Sequence, residues 1–332
     1  MTAKNSKALR GSWHYKLYSA FQSEVRAAAK DWFEKKEYAT NAKAPYCLSG
    51  GRESWPGNII SDQVVEYIQS TKEQHEKESS CFPLHKYLHH GLSSQAMLFN
   101  LLGPLKVKGD LTPLENMVAA AGIKGPVGNV DVTFEFDDRS VFNEDAGQPT
   151  SIDACLHGDS GNAVFIEAKF VESGFGGCSV FSRGDCAGKN PSPDRFSECY
   201  LHHIGRAYWQ RMKELGMTES PLLQGQICPF VSYYQFFREA MFALHLGGSF
   251  LLLHDSRNPA YVKERDGDGQ QAGLWPFLLE CIPDQYRDRI GRVTVQDLVA
   301  EIKHHEIHSD WIELFEAKYG LVHKCGGSEE KC

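Results

Sequence analysis

Between residues 130 and 170 the apolar residues change period, and the change limits the chain to a layered α/β architecture. Val130, Val132, Phe134 and Phe136 alternate with Asp131, Thr133 and Glu135, as a strand with one buried face should. Ser151–Leu156 and Ala163–Phe170 read as two further strands. The stretch His157-Gly158-Asp159-Ser160-Gly161-Asn162 between them has the composition of a hairpin turn. Before this block the spacing is helical. Tyr15, Leu17, Tyr18, Phe21, Val25, Ala28, Ala29 and Trp32 predict a helix over 14–38, and a second, solvent-facing helix with a Glu/Lys run is expected over 61–77. Ser93–Leu102 predicts a buried helix that Gly103-Pro104 should end. Residues 39–58, with Pro45, Gly50, Gly51, Pro56 and Gly57, read as loop. After the block come helices at 195–215 and 231–246, an apolar strand Ser249–His254, and an amphipathic helix at about 308–319. The order predicts one continuous body built on a small mixed sheet: a helical extension over 1–80, a core over 81–260, and a helical extension over 261–332 packed on the core.

Two acids and a lysine converge on this hairpin. Asp153 stands at the end of Ser151-Ile152-Asp153; after thirteen intervening residues comes Glu167-Ala168-Lys169 on the returning strand. Side chains two apart on a strand project to one side, so Glu167 and Lys169 share a face, and pairing of the strands brings Asp153 to them. Buried charges must be paired or metal-bound. Mg²⁺ takes few carboxylates and keeps waters and phosphate oxygens as its other ligands. The plain alternative is a surface salt bridge. The chain carries a comparison of its own, because Glu316-Ala317-Lys318 repeats the triplet. There Trp311, Leu314 and Phe315 form a helical stripe, and the Glu and Lys are expected to face outward.

No run approaches the length of a membrane span, and the basic N-terminal residues are followed by no apolar stretch, so a cytoplasmic protein is expected. The net charge of −8 disfavours a nonspecific polyanion binder but is compatible with an acidic metal site in a locally basic groove. Ten cysteines in so long a chain are expected to be reduced. Cys178, Cys186, Cys199 and Cys228 cluster in sequence without the Cys-x₂-Cys knuckle of most zinc sites, which leaves a structural metal and ordinary thiols both open. Cys81, Cys325 and Cys332 read as incidental. The doublets His89-His90, His202-His203 and His304-His305 are poor chelators, since neighbours on a helix do not share a face.

With these elements in place the chain resembles the PD-(D/E)XK, or restriction-endonuclease-like, phosphodiesterases, whose core runs helix, three strands, helix, strand. Within them it resembles a group of bacterial restriction-endonuclease-like proteins. That likeness is carried by Ser93–Leu105, by Ile166-Glu167-Ala168-Lys169 followed by Glu172, and by Cys228-Pro229-Phe230 with Tyr234-Gln235. Proline stands at 149, so the literal Pro-Asp pair is absent. The resemblance implies that Asp153 and Glu167 bind Mg²⁺ or Mn²⁺ and that Lys169 acts on the attacking water. The first-helix acid of many relatives would be replaced by Gln95 or by Glu135. Gln235 and Tyr234 would hold the substrate strand or the site lysine, and Arg238 a phosphate. Some relatives carry an iron–sulfur cluster on four cysteines, so zinc or Fe–S at Cys178, Cys186, Cys199 and Cys228 belongs to the same implication. The implied activity is metal-dependent hydrolysis of nucleic acid, with DNA the expected partner and a homodimer left open. The rivals are an RNA-directed or repair-type exonuclease, and a catalytically silent nucleic-acid-binding or scaffold protein.

Overall fold

The computed structural model describes residues 16–191, 195–262 and 274–321. They form two compact units, one of the chain up to Lys108 together with the segment from Ile302 onward, the other of Gly109–Glu301. Boundaries expected near 81 and 261 do not mark this division. Residues 81–108 belong with the N-terminal helices, and 261–301 with the sheet.

In the first unit, α1 (Lys16–Lys35) is followed by a small hairpin, β1 (Thr40–Asn41) and β2 (Ala44–Leu48), inside the stretch expected to be loop. Trp32 and Phe33 of α1 pack on Leu48. Helix α2 (Asp62–Lys77) buries Val64 and Ile68 under its charged face. Helix α3 (Ser94–Lys108) does not stop at Gly103-Pro104. Proline costs it one hydrogen bond, to the carbonyl of Asn100, but every residue from Gln95 to Leu105 is buried, and packing outweighs that loss. Gly103 is itself a packing device: a Cβ there would lie 2.7 Å from Val64 Cγ1. The C-terminal helix, Ser309–Tyr319, belongs to this unit and corrects the expectation for the second triplet. Lys318 does not face outward; it is 2% exposed.

The second unit holds α4 (Thr112–Ala120), a two-strand ribbon of β3 (Pro126–Val127) and β6 (Ser160–Gly161), and a five-stranded mixed sheet. Its strands are β4 (Asp131–Asp137), β5 (Ser151–His157), β7 (Val164–Lys169), β8 (Ser249–His254) and β9 (Ile290–Thr294), in the order β4-β5-β7-β8-β9. β4, β5 and β7 pair antiparallel; β7, β8 and β9 pair parallel. Every residue of β7 and β8 is buried, which explains their near-continuous apolar runs: both faces are covered. On one face lies α6 (Phe230–His245), preceded in the chain by α5 (Tyr208–Glu214); Phe236 meets Phe250 at 5.7 Å and Phe242 meets Phe165 at 5.5 Å. On the other, Gly291 leaves room for Ile123, whose Cδ1 would be 2.6 Å from a Cβ at 291. The result is a three-layer α/β core, the expected fold class.

Two local expectations change. Residues 195–215 are a broken series, a 3₁₀ turn at Phe196–Glu198, a short helix at Tyr200–His203, and α5, with Gly205 between them at φ +91°. Strand β9 lies in a region expected to be helical. Five residues interrupted by Gly291 and Arg292 carry little periodic signal, and pairing with β8 makes them a strand. Among the described residues no helix is long and apolar enough to cross a membrane.

Candidate active site

Asp153, Glu167 and Lys169 meet because of strand register. Ala154 pairs with Ile166 across β5 and β7, so Asp153 and Glu167 stand opposite one another on the face that carries α6. Asp153 Oδ2 accepts the Ala168 N–H at 2.9 Å. Lys169 Nζ donates to Glu167 Oε1 at 2.5 Å and to Gln235 Oε1 at 2.7 Å, while Gln235 Nε2 donates to Glu167 Oε1 at 2.7 Å. The three groups close a ring in which the helix amide bridges the strand's acid and base. Glu167 Oε2 is buried and receives no N–H.

Sequence reasoning missed the fourth ionisable group. Glu239, one turn after Gln235 on α6, is buried against Gln235 and against the Glu167 carboxyl, with which it shares a hydrogen bond that needs one proton between the two acids. A signal existed: Glu239 falls among Phe236, Phe237, Ala240 and Met241, on the helix face that must point into the sheet. Burial, opposed by Lys169, lifts the Glu239 carboxyl to about 7. Burial and then Glu239 push Glu167 well above the usual carboxylate range; burial and then Glu167 do the same to Asp153. For Lys169, burial works against the ammonium, but Glu167 and Glu239 outweigh it and hold the lysine above its ordinary value. His254, paired with Lys169 across β7 and β8, is driven down to about 4 by burial and adds no charge at neutral pH.

A second buried network supports the strand that carries Asp153. Glu144 accepts the Thr150 N–H at 2.6 Å, the Tyr208 hydroxyl at 2.5 Å and Arg238 Nη2 at 3.0 Å. Arg238 also bonds Thr150 Oγ1 and lies 4.7 Å over the Tyr234 ring. Arg238 and Tyr234 are thus engaged in fixing the entry to β5 rather than presented to a phosphate. Nothing in the turn-rich stretch around Glu144 marks it in the sequence.

The other candidates are placed as follows. Glu135 sits at φ +55° in β4, where the left-handed conformation interrupts the pairing opposite Asp153, and it accepts the Ser151 hydroxyl at 3.0 Å. Gln95 belongs to the first unit; it accepts the His85 N–H and donates to the Pro83 carbonyl. Its amide is therefore engaged in holding the 83–85 backbone. Among the described residues no three His, Cys, Asp or Glu side chains converge on a point suited to one ion. A Mg²⁺ site needs no such cage, since one or two carboxylates with waters and phosphate oxygens suffice. The buried Glu167 Oε2, which meets only another acid, Glu239, and the facing Asp153 fit that kind of site.

A mixed sheet sandwiched by helices, with an Asp on one hairpin strand and Glu-x-Lys on the next, defines a restriction-endonuclease-like core. The chain belongs to the family described as Restriction Endonuclease associating with ARP, whose model matches residues 26–320. No curated protein and no solved structure matches the chain.

Proposed function

We propose that this protein hydrolyses phosphodiester bonds in nucleic acid, DNA first, at Asp153, Glu167 and Lys169. The observation that carries the reading is the buried Glu167 carboxyl, tied at one oxygen to Lys169 and Gln235 and set against the Glu239 carboxyl, an acid–acid contact that needs a proton or a cation. Facing buried carboxyls cannot both stay ionised without compensation, and a cation can take the place of the proton between them. Asp153 and Glu167 would hold Mg²⁺, which when bound would lower the pKa of a water and neutralise charge on the phosphate. The raised carboxyl pKa values mean that cation binding must displace protons shared among Asp153, Glu167 and Glu239. Lys169, bonded to Glu167 and Gln235, serves as a positive charge that orients the water and stabilises the phosphorane. Gln235 bonds both groups and holds the Lys169 ammonium against Glu167.

Plasmid, linear duplex and RNA substrates incubated with Mg²⁺, Mn²⁺ or chelator test the proposal. Metal-dependent cutting of circular plasmid is the expected result. Cutting confined to free ends, or to RNA, transfers the same chemistry to one of the rival substrates. Binding of nucleic acid without turnover under every metal condition would overturn the enzymatic reading.

A further inference from the structure

Helix α5 and the irregular chain on either side of it enclose a cavity of about 330 Å³, within the size range of small-molecule sites. Phe196 and Trp209 form one wall, their rings stacked with planes 17° apart and centroids 5.6 Å apart. Met212 and Leu223 supply further apolar lining, and Asn190 and Thr218 polar lining. Asn190 also builds the cavity. Its Nδ2 donates to the carbonyls of Leu223 and Gly225, at 2.5 and 3.1 Å, and so fixes the 223–225 segment of the lining. The cavity lined by Cys178, Cys186, Cys199 and Cys228 is far smaller, about 30 Å³, room for about two waters. Among the described residues no three donors converge on a metal there or elsewhere.

Polar atoms without partners gather at the larger cavity. Trp209 is 3% exposed and its Nε1–H finds no acceptor, while Asn190 Oδ1 is buried and receives no donor. Beside the cavity, His202 Nδ1, on a ring 5.7 Å from that of Phe196, and Ser220 Oγ, two residues after Thr218, are buried and unpartnered as well. Unpaired buried polar groups are costly, and they mark where a bonding partner belongs. Every residue lining the cavity is uncharged, so the part of a ligand that enters must be neutral. A purely apolar ligand would leave Trp209 and Asn190 unpaired. A neutral, flat ring with both an acceptor and a donor on its edge satisfies them and packs on the aromatic wall. That is the chemistry of a nucleobase. A cation stands beside the wall for the phosphate: Lys213 is exposed, with Nζ 5.9 Å from the Phe196 ring centroid.

We propose that this cavity binds the base of a nucleotide. Phe196 and Trp209 pack on the ring, Trp209 Nε1–H donates to its edge, and Asn190 Oδ1 accepts from it. The base comes either from a free nucleotide or from a strand of nucleic acid, where it must leave its stack to enter. Only the second source leans on the nuclease reading, to which the cavity would add a grip on the same substrate.

Equilibrium dialysis of the full chain against AMP, GMP, CMP and UMP tests the proposal, with ribose 5-phosphate and inorganic phosphate as controls that lack a base. Chelator is present so that no metal carries a nucleotide to the acid site. At least one nucleotide should bind with a Kd below ~1 mM, and both controls should bind roughly tenfold more weakly or not at all. Phe196→Leu, at a half-buried position, and Trp209→Phe, which removes the N–H, should each weaken nucleotide binding by roughly 5- to 100-fold. If Trp209→Phe does not fold, Phe196→Leu and the two controls decide. Glu167→Gln should bind nucleotides as the wild type does, so failure here and failure of the cleavage proposal are separate results. A single-stranded oligonucleotide held more tightly than a mononucleotide, with both weakened by Phe196→Leu, assigns the base to a strand. A mononucleotide held at least as tightly as the strand assigns it to a free nucleotide. Equal binding of ribose 5-phosphate and nucleotide, no nucleotide binding, or wild-type affinity in both aromatic variants overturns the proposal.

Discussion

The same three residues, Glu-Ala-Lys, occur in two buried places and end with opposite electrostatics. In β7, Lys169 lies among Glu167, Glu239 and Gln235, and its ammonium is held above the ordinary lysine value. In the C-terminal helix, Glu316 turns away to pair with Lys303 at 3.0 Å, and Lys318 goes inward without it. There its Nζ donates to Asn58 Oδ1 at 2.7 Å and lies 5.1 Å from the Phe33 ring centroid and 5.4 Å from that of Trp32. Burial, with a smaller contribution from Lys36, lowers Lys318 to about 7. A strand sends residues i and i+2 to the same side, whereas a helix turns them about 200° apart. The triplet on the strand is therefore an ion pair in a site, and the triplet on the helix is divided between surface and core.

The largest effect that can break this contrast is on cleavage. Glu167→Gln and Asp153→Asn should each lower the rate of plasmid cutting by roughly 10²–10⁴-fold, while Glu316→Gln stays within about twofold. Similar losses from both triplets would show that the strand triplet has no special chemistry.

Next come the two lysines exchanged for methionine, read by urea unfolding at pH 8. Lys169→Met leaves Glu167 and Glu239 buried without their cation and should cost about 3–5 kcal/mol. Lys318→Met removes an amine that burial disfavours and should stabilise instead, by about 1–3 kcal/mol after the loss of the aromatic and Asn58 contacts. Changes of the same sign would sink the comparison.

The pH dependence sharpens it. Lys318 has a folded-state value below its unfolded one, so between about pH 7 and pH 10.5 the unfolded chain holds more protons. Stability should rise with pH across that window, and Lys318→Met should remove this contribution. A rise of the same size in both proteins would place the titration elsewhere.

The smallest expected effect concerns Glu239, whose folded-state carboxyl value of about 7 lies above the unfolded one. The folded chain then holds the extra proton, and stability from this group falls as pH rises from about 4.5 to 7. Glu239→Gln should raise the melting midpoint at pH 8 by a few degrees, the shift that about 1 kcal/mol produces. An unchanged or lower midpoint would mean that Glu239 is already compensated by Lys169.

Much of the core was legible because its signal is local. Strand β8 occupies the six residues, Ser249–His254, that its apolar run marks, and α6 spans 230–245 against an expected 231–246. The Asp153 and Glu167-x-Lys169 pattern could be read because side-chain alternation along β5 and β7 depends only on the strands being strands. Glu239 and Glu144 were not legible in that way. Each is an acid whose burial depends on partners 64 to 94 residues distant or across a turn, and a single carboxylate carries no period.

Sequence by itself determined the periods, and through them the kinds of element and the faces each could offer. The tertiary structure alone decided which face met which. It carried α3 through Pro104 because burial on every side outweighed one missing hydrogen bond, and it made a strand of Ile290–Thr294 because β8 presented an edge to pair with. It also assigned the charges, giving Lys169 two carboxylates and Lys318 aromatic rings. The physical reason is range: backbone period is set by neighbours a few residues away, while the free energy of a buried charge is set by whatever the fold brings within a few ångströms.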